Sequence, residues 1–337
     1  VKVLLTGGGG FMGHHTLFYL LKNTDWDFIL TDSFNHIGIS ARLRAVLDEM
    51  PDHRKRVKII THDLSTPIDK ITRHEFGNIN VIINTASLSN VDDSIKEPVT
   101  FVQNNINLAL NMFEYAKNLD SLQTFIHIST DEVFGDSANH LEWDPIIPSN
   151  PYSASKAGQE AIAQAYWRTY DIPIIITNTT NMFGERQDSQ SFVPRAISCI
   201  LNDEVLPIHS KIINGERKVS SRYYIYTQNQ ADAVKFLIEK FIKIPHKFSD
   251  GLLKIQKFNV SGDIEMYNDQ LAFKIANILN KKVNLNYINP SDHRPGLDLK
   301  YGLDGNKLSS YGWKQPFSFD ESLEKTVLWS KNNPLWL

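Results

Sequence analysis

The sequence predicts an α/β protein in which a doubly wound parallel sheet is followed by a smaller C-terminal α/β lobe. Three observations predict it. Short apolar runs alternate with helical spacing through the first half of the chain. The first run meets a glycine cluster, "LLTGGGGFMGHH", that opens a helix. After about residue 178 the rhythm breaks, and Asn, Gly, Pro and Ser become more frequent.

The elements follow in order. "KVLLT" is a first strand and "FMGHHTLFYLLKNT" a helix. "DFILTD", "VKIITHDL" and "VIINTAS" are the second, third and fourth strands. "FVQNNINLALNMFEYAKN" sets Phe101, Leu108, Met112 and Tyr115 at helical intervals, and "TFIHIST" and "PIIITNTTN" are further strands. Short, wholly apolar strands separated by helices imply a parallel sheet covered on both faces. Residues 1–177 make this domain and 178–337 the lobe, with 224–243 returning to the main domain. There is no internal repeat and no low-complexity linker, so the two parts should pack tightly. Ligands of such sheets bind outside the carboxyl ends of the strands. The segment "STDE", Ser129 to Glu132, lies at such an end.

Composition excludes several classes. With 42% hydrophobic and 22% charged residues among 337, the chain is ordinary for a globular protein. No apolar run approaches the roughly 18 residues that span a bilayer. The start has neither the basic leader nor the cleavage site of a signal peptide. The single cysteine, Cys199, cannot form an internal disulfide, which fits a reducing, cytoplasmic setting. A formal charge of −3 argues against a general polyanion binder. The one dense basic run, "HRKR" (His53 to Arg56), reads as a solvated helix end and not a nucleic-acid site. No metal is expected.

The glycine cluster points to a dinucleotide. Gly7 permits a tight turn, Gly10 lets the backbone approach a pyrophosphate, and Gly13 lets the helix pack close to the sheet. The helix start offers free N–H groups and a positive dipole end. The spacing Gly-x-x-Gly-x-x-Gly departs from the usual fingerprint, but its context is right: it follows a strand, opens a helix, and has Asp32 at the end of the second strand. Asp32 should bond the ribose hydroxyls and repel a 2′-phosphate, favouring NAD over NADP. Asp63 and Leu64 would edge the adenine, and Ala86 and Ser87 would lie along the pyrophosphate.

"PYSASKAGQEAIAQAYW" places Tyr152 and Lys156 on one helical face. A tyrosine titrating at about 10 is a poor base at neutral pH. A neighbouring lysine cation, beside an oxidised nicotinamide, would favour the phenolate and make a proton acceptor for an alcohol losing hydride.

With these motifs the chain resembles the extended short-chain dehydrogenase/reductases, and within them the nucleotide-sugar 4,6-dehydratases of the dTDP-glucose type. The resemblance covers nearly the whole length. It is carried by "TGGGGFMG", Asp63–Leu64, "NTASLSNVDDSI", Asn104 to Ile106, "STDEVFGD", "PYSASKA", "TNTTNMFGERQ" and "HRPGLDLKYGLD". It implies a Rossmann-type domain holding NAD, with Phe11, Met12 and Asn105 joining the cofactor residues. It also implies that Thr130 helps bind the sugar beside Tyr152, that Asp131 protonates the leaving C6 hydroxyl, and that Glu132 removes the C5 proton. Two adjacent carboxyls suit this, because like charges disfavour double ionisation and split the pair into acid and base. Substrate contacts are implied at Ser89, Asn181 and Arg294, with Arg217 or Arg222 at the diphosphate. A homodimer through helices 99–118 and 152–170 is also implied; Leu108, Met112, Ala161 and Ala165 are apolar beyond one face.

The chain departs from the family in several places. Asn90 stands where a histidine is usual, Asp93 where a basic residue is, and Leu297 where a histidine is; "GERKVSSRYY", with Arg217 and Arg222, stands where an aromatic-flanked "RDW"-like run is usual, and the segment between Glu132 and Tyr152 is short. A C4 epimerase or decarboxylase of UDP-sugars would share the cofactor site, Tyr152 and Lys156. A non-enzymatic dinucleotide sensor would need neither that pair nor the acid pair.

Overall fold

The apolar alternation within each strand decides the layering. In the computed structural model, which describes residues 1–36, 38–242, 254–290 and 297–337, Val3 and Leu5 face one way and Leu4 the other. Val3 and Leu5 join Phe28, Leu30, Val81 and Ile83 against Leu17, Leu20 and Leu21 of the helix Phe11–Asn23 and Val234, Leu237 and Ile238 of the helix Thr227–Phe241. Leu4 joins Ile29, Ile82 and Phe125 against Leu108, Met112 and Phe113 of the helix Pro98–Ala116 and Ala163 and Trp167 of the helix Pro151–Tyr170. Each such side chain contributes roughly 1.5–3 kcal/mol when removed from water, so both faces of the sheet are fixed by burial.

The sheet has seven parallel strands. From one edge they are Val57–Thr61, Asp27–Asp32, Lys2–Thr6, Val81–Asn84, Thr124–Thr130, Ile174–Thr179 and Gln256–Val260. The last was not anticipated: the sequence reading returns only 224–243 to this domain, yet a strand from further along closes the edge. The third and fourth strands also end sooner than their apolar runs suggest, at Thr61 and Asn84. Leu108 and Met112 are core residues, whereas Ala161 and Ala165 are exposed. Core packing therefore accounts for the first two.

A third cluster lies in the lobe, where Val193, Ile197 and Ile200 meet Leu206, Ile208, Leu271 and Ile275. A four-stranded sheet there has the order Glu265–Tyr267, Ser221–Tyr223, Lys300–Leu303 and Ser137–His140. The last strand follows the "STDE" segment directly, so the lobe is stitched to the carboxyl edge of the main sheet. Among the described residues no helix is long and apolar enough to cross a membrane. Nor is the "HRKR" run simply a solvated helix end: within the 3-10 turn Pro51–Arg56, Arg56 donates to the carbonyls of Thr24 (2.8 Å) and Trp26 (3.1 Å) behind the first helix.

The glycine turn is crowded. A Cβ on Gly13 would sit 2.2 Å from the Gly7 carbonyl oxygen, whereas one on Gly10 would meet only that oxygen, at 3.2 Å. Gly13→Ala should therefore lower the unfolding free energy by about 1–3 kcal/mol, read as an earlier urea midpoint, and Gly10→Ala by less than half as much. Equal losses would show that crowding against Gly7 is not the reason for Gly13.

Candidate active site

Parallel strands all end on one side, and the polar residues expected from the sequence gather there. Gly7 turns the chain at φ +62°, and its N–H donates to the Thr31 carbonyl at 2.8 Å. Gly10 then caps the helix Phe11–Asn23 without any side-chain cap. The first-turn N–H groups, with half-buried Phe11 and Met12, are thus not capped by a side chain. Asp32 is buried; its Oδ2 accepts from the Gly9 N–H (3.0 Å) and its Oδ1 from the Phe34 N–H (3.1 Å). It braces the glycine turn and keeps lone pairs for a hydroxyl.

The neighbouring strand ends are organised by local bonds. Asp63 Oδ1 accepts from the Ser65 N–H at 2.9 Å, and the carbonyl of buried Leu64 accepts from Asn111 Nδ2 at 2.9 Å. Ala86 donates its N–H to Thr6 Oγ1 at 3.2 Å, and Ser87 Oγ donates to the Leu88 carbonyl at 3.0 Å. Ser89 is exposed on the same loop. Asn105 sits behind it: its amide accepts from the Leu88 N–H (2.9 Å) and donates to the Leu88 carbonyl (3.0 Å) and Ser155 Oγ (2.9 Å). Its side chain acts through the loop, which the sequence could not reveal.

The "STDE" segment is a strand end capped by its own hydroxyl. Thr130 Oγ1 accepts from the Glu132 N–H at 3.3 Å and donates to Asp131 Oδ1 at 3.1 Å, and the chain then enters the 3-10 turn Asp131–Phe134. Asp131 is only 3% exposed, and its Oδ2 is a buried oxygen with no hydrogen-bond partner. Burial first, and the Glu132 charge second, push the Asp131 carboxyl up to about 7; Arg222 and Thr130 pull the other way. Glu132 is less buried, and its Oε2 accepts from Asn150 Nδ2 at 3.4 Å. The pair is therefore unequal by environment, with Asp131 able to hold a proton near neutral pH.

Tyr152 opens the helix Pro151–Tyr170, whose start is fixed by Pro151 and a reciprocal capping box between Asn150 and Ser153. The Tyr152 hydroxyl is pushed well above its usual range by burial, then by Glu132 and, more weakly, Asp131, with the Thr130 hydroxyl opposing. These four side chains therefore converge. Lys156 behaves differently from the sequence reading. Its Nζ donates to the Ile128 carbonyl (2.7 Å) and to Gln159 Oε1 (2.6 Å), and burial lowers it to about 8. Its charge is anchored to the strand, and one of its three donors remains.

On the lobe side, Asn181 Oδ1 is buried without a partner. Arg222 is buried and donates to the carbonyls of Ser221 (2.7 Å), Leu299 (2.8 Å) and Asp298 (3.1 Å), stacked 4.3 Å over Tyr301. Arg217 is exposed, 4.4 Å over Tyr287, and lines a cavity of about 440 Å³ with Ser210, Lys211 and Asn289. Arg294 lies outside the described residues. Gln159, Glu160, Asn178 and Lys257 were missed. Only the first two carried a signal, their place one turn beyond Lys156.

A family model described as GDP-mannose 4,6 dehydratase matches residues 4–326. A dTDP-D-glucose 4,6-dehydratase of Dictyostelium discoideum is 31% identical over 98% of this chain and 82% of its own. The solved dTDP-glucose 4,6-dehydratase of Streptomyces venezuelae, with NAD bound, is 26% identical, with a TM-score of 0.84 over 100% of this chain and 98% of its own. A UDP-N-acetylglucosamine 4-epimerase of Methanobrevibacter ruminantium is similar too, at 26% identity and a TM-score of 0.81 over 98% of both chains.

The Asp131 shift has a thermodynamic consequence. Its folded carboxyl titrates at about 7 against an ordinary 3.8, so the folded protein binds more protons in that window and loses stability as pH rises through it. Asp131→Asn abolishes that loss. Relative to the native protein, the variant should gain stability, on the order of a few kcal/mol, between about pH 4 and about pH 8. Denaturant unfolding at both pH values measures this; a difference that ignores pH would refute the buried, proton-holding carboxyl.

Proposed function

The chain belongs to the GDP-mannose 4,6 dehydratase family, within the extended short-chain dehydrogenase/reductases, and from that premise we propose that it is a hydro-lyase converting a nucleoside-diphosphate hexose to its 4-keto-6-deoxy form. The observation that carries this reading is the unequal pair at the strand end, with buried Asp131 near neutral and Glu132 beside it.

The residues present fit NAD. Gly10 is the position of the turn with the most room for a close ligand, the helix start lacks a side-chain cap, and Asp32 stands at the ribose end of the motif. Gly7, Gly13, Asp63, Leu64, Ala86 and Ser87 would shape its bed, and the carboxylate of Asp32 disfavours NADP. Bound there, NAD would accept a hydride from C4 of the sugar and return it at C6, so no outside oxidant is consumed.

The protein's own groups handle protons. Tyr152 takes the proton of the C4 hydroxyl, with Thr130 bonding the same region and Lys156 supplying a fixed positive charge. A ketone at C4 acidifies the C5 proton, which Glu132 removes. Asp131 delivers its proton to the departing C6 hydroxyl, which leaves as water. A proton returns to C5 as C6 receives hydride, giving a net loss of one water. Ser89, Asn181, Arg217, Arg222 and Arg294 are assigned to the sugar nucleotide. Arg222 retains N–H donors beyond its three carbonyl bonds, and Arg217 is open to an anion. A homodimer through the helices Pro98–Ala116 and Pro151–Tyr170 completes the proposal; exposed Val99, Ala161, Ala165 and Tyr170 lie on them.

Incubation with dTDP-glucose, UDP-glucose and UDP-GlcNAc in turn should give, for one of them, a product lighter by one water. Substrate deuterated at C4 should carry that deuterium to C6. Glu132→Gln should slow turnover by about a hundredfold or more and accumulate protein-bound reduced nicotinamide absorbance. Unchanged mass with inverted C4 would mean an epimerase, and loss of carbon dioxide a decarboxylase.

A further inference from the structure

Tyr152, Lys156 and Glu160 follow at four-residue intervals on one helix, so they share a face. The first two belong to the proposed chemistry. Glu160 does not, yet it is only 4% exposed and fully bonded. Its Oε1 accepts from Ser129 Oγ (2.5 Å) and Asn178 Nδ2 (2.7 Å), and the same amide donates to the Thr130 carbonyl at 2.9 Å. Its Oε2 accepts from Lys257 Nζ at 2.7 Å. Lys257 is 2% exposed, and its ammonium also lies 4.7 Å from the Phe134 ring centre.

One carboxylate thus ties the tyrosine helix to three adjacent strands, Thr124–Thr130, Ile174–Thr179 and Gln256–Val260. A buried ion pair is weak support for stability, since apolar substitutes of similar size often serve as well. What this pair holds is the strand end that carries Thr130 and the acid pair. Glu160 is also the charge that raises Lys156 against the effect of burial. The titratable groups coupled to Lys156 are Glu160 on its own helix and His127 on the adjoining strand; burial holds His127 well below its usual range, and Lys156 depresses it further. Lys257 stands behind Glu160.

We propose that Glu160, held in place by Lys257, is a positioning residue: it fixes the Ser129–Glu132 strand end against Tyr152 and, one turn beyond Lys156 on the same helix face, sets its carboxylate beside that ammonium. The inference rests on the dehydratase reading for its effect on turnover, but not for its effect on Lys156.

The test uses the double variant Glu160→Gln/Lys257→Met. It removes both buried charges together, avoiding an unpaired one, and keeps an oxygen to accept from Ser129 and Asn178. In the ligand-free protein labelled at lysine 13Cε, the Lys156 resonance, assigned through Lys156→Met, should titrate about one pH unit lower than in the native protein. In turnover, the fall in kcat at alkaline pH should move down by a similar amount, with KM changed less than about twofold. A folded double variant with native Lys156 titration and native pH profile would overturn the charge role. Ser129→Ala, a milder change, tests the clamp: kcat should fall about three- to tenfold with KM and the pH profile unmoved, and a native kcat would overturn it. If the native protein dehydrates no sugar nucleotide, the functional reading fails while the Lys156 titration still decides the charge role.

Discussion

A carboxyl group taken out of water must find a cation or keep its proton. Asp131 stands at the end of a central strand under that constraint, with one oxygen bonded by Thr130 and the other without a partner. Its nearest carboxylate, Glu132, makes ionisation harder, and the Arg222 guanidinium makes it easier. The balance leaves Asp131 near neutral. A free cation placed on Asp131 would turn it into a permanent carboxylate; Arg222 instead spends three N–H groups on the carbonyls of Ser221, Asp298 and Leu299. The lobe's strand pairing fixes this compromise. Ser221–Tyr223 lies beside Lys300–Leu303, which lies beside the strand Ser137–His140 that leaves the acid pair.

The same constraint explains why the site needs the whole chain. Parallel pairing sets Thr130 beside Thr179 and His127 beside Asn84, so polar residues from distant segments meet at one edge. Each needs partners once buried. Asn105 serves the Leu88 loop, Gln159 links Lys156 to the Asn105 carbonyl at 2.6 Å, and Asn178 links Thr130 to Glu160. These are backbone-holding roles. They give Thr130, Lys156 and the Leu88 loop a fixed frame, which on the proposed reading would help catalysis by avoiding reorganisation during the reaction.

What the sequence made legible follows from this division. Apolar runs with a regular period report burial on a sheet face, so six of the seven central strands and the two long helices were readable, as were the glycine turn and the strand-end hydroxyl with its acid pair. The seventh strand was not. "QKFNV" is short and carries Lys257, and a lysine in a strand normally reads as solvent-facing; only the Glu160 carboxylate, 97 residues earlier, makes it a core residue. Asn105 and Arg222 show a related limit. Their residue types suit a phosphate or an amide contact, but the sequence could not show that Asn105 holds the Leu88 loop or that Arg222 gives three of its N–H groups to carbonyls. Lys156 shows the remaining limit: spacing sets it on the tyrosine face but cannot say that the Ile128 carbonyl takes its ammonium.

The proton inventory of the ligand-free site leads one step further. Burial pushes the Tyr152 hydroxyl well above its usual range, with Glu132 and, more weakly, Asp131 adding to it, so without ligands it keeps its proton. Lys156 gives two of its three donors to the Ile128 carbonyl and Gln159, and Arg222 acts on Asp131. Among the described residues no cation figures among the groups that shift the Tyr152 hydroxyl. On the proposed dehydratase reading, positive charge arriving with the bound cofactor would add to the fixed charge of Lys156 and favour release of the Tyr152 proton. On that reading the acid pair would add to the effect of burial on Tyr152 before binding and, once a ketone stands at C4, divide into the acid and base of elimination.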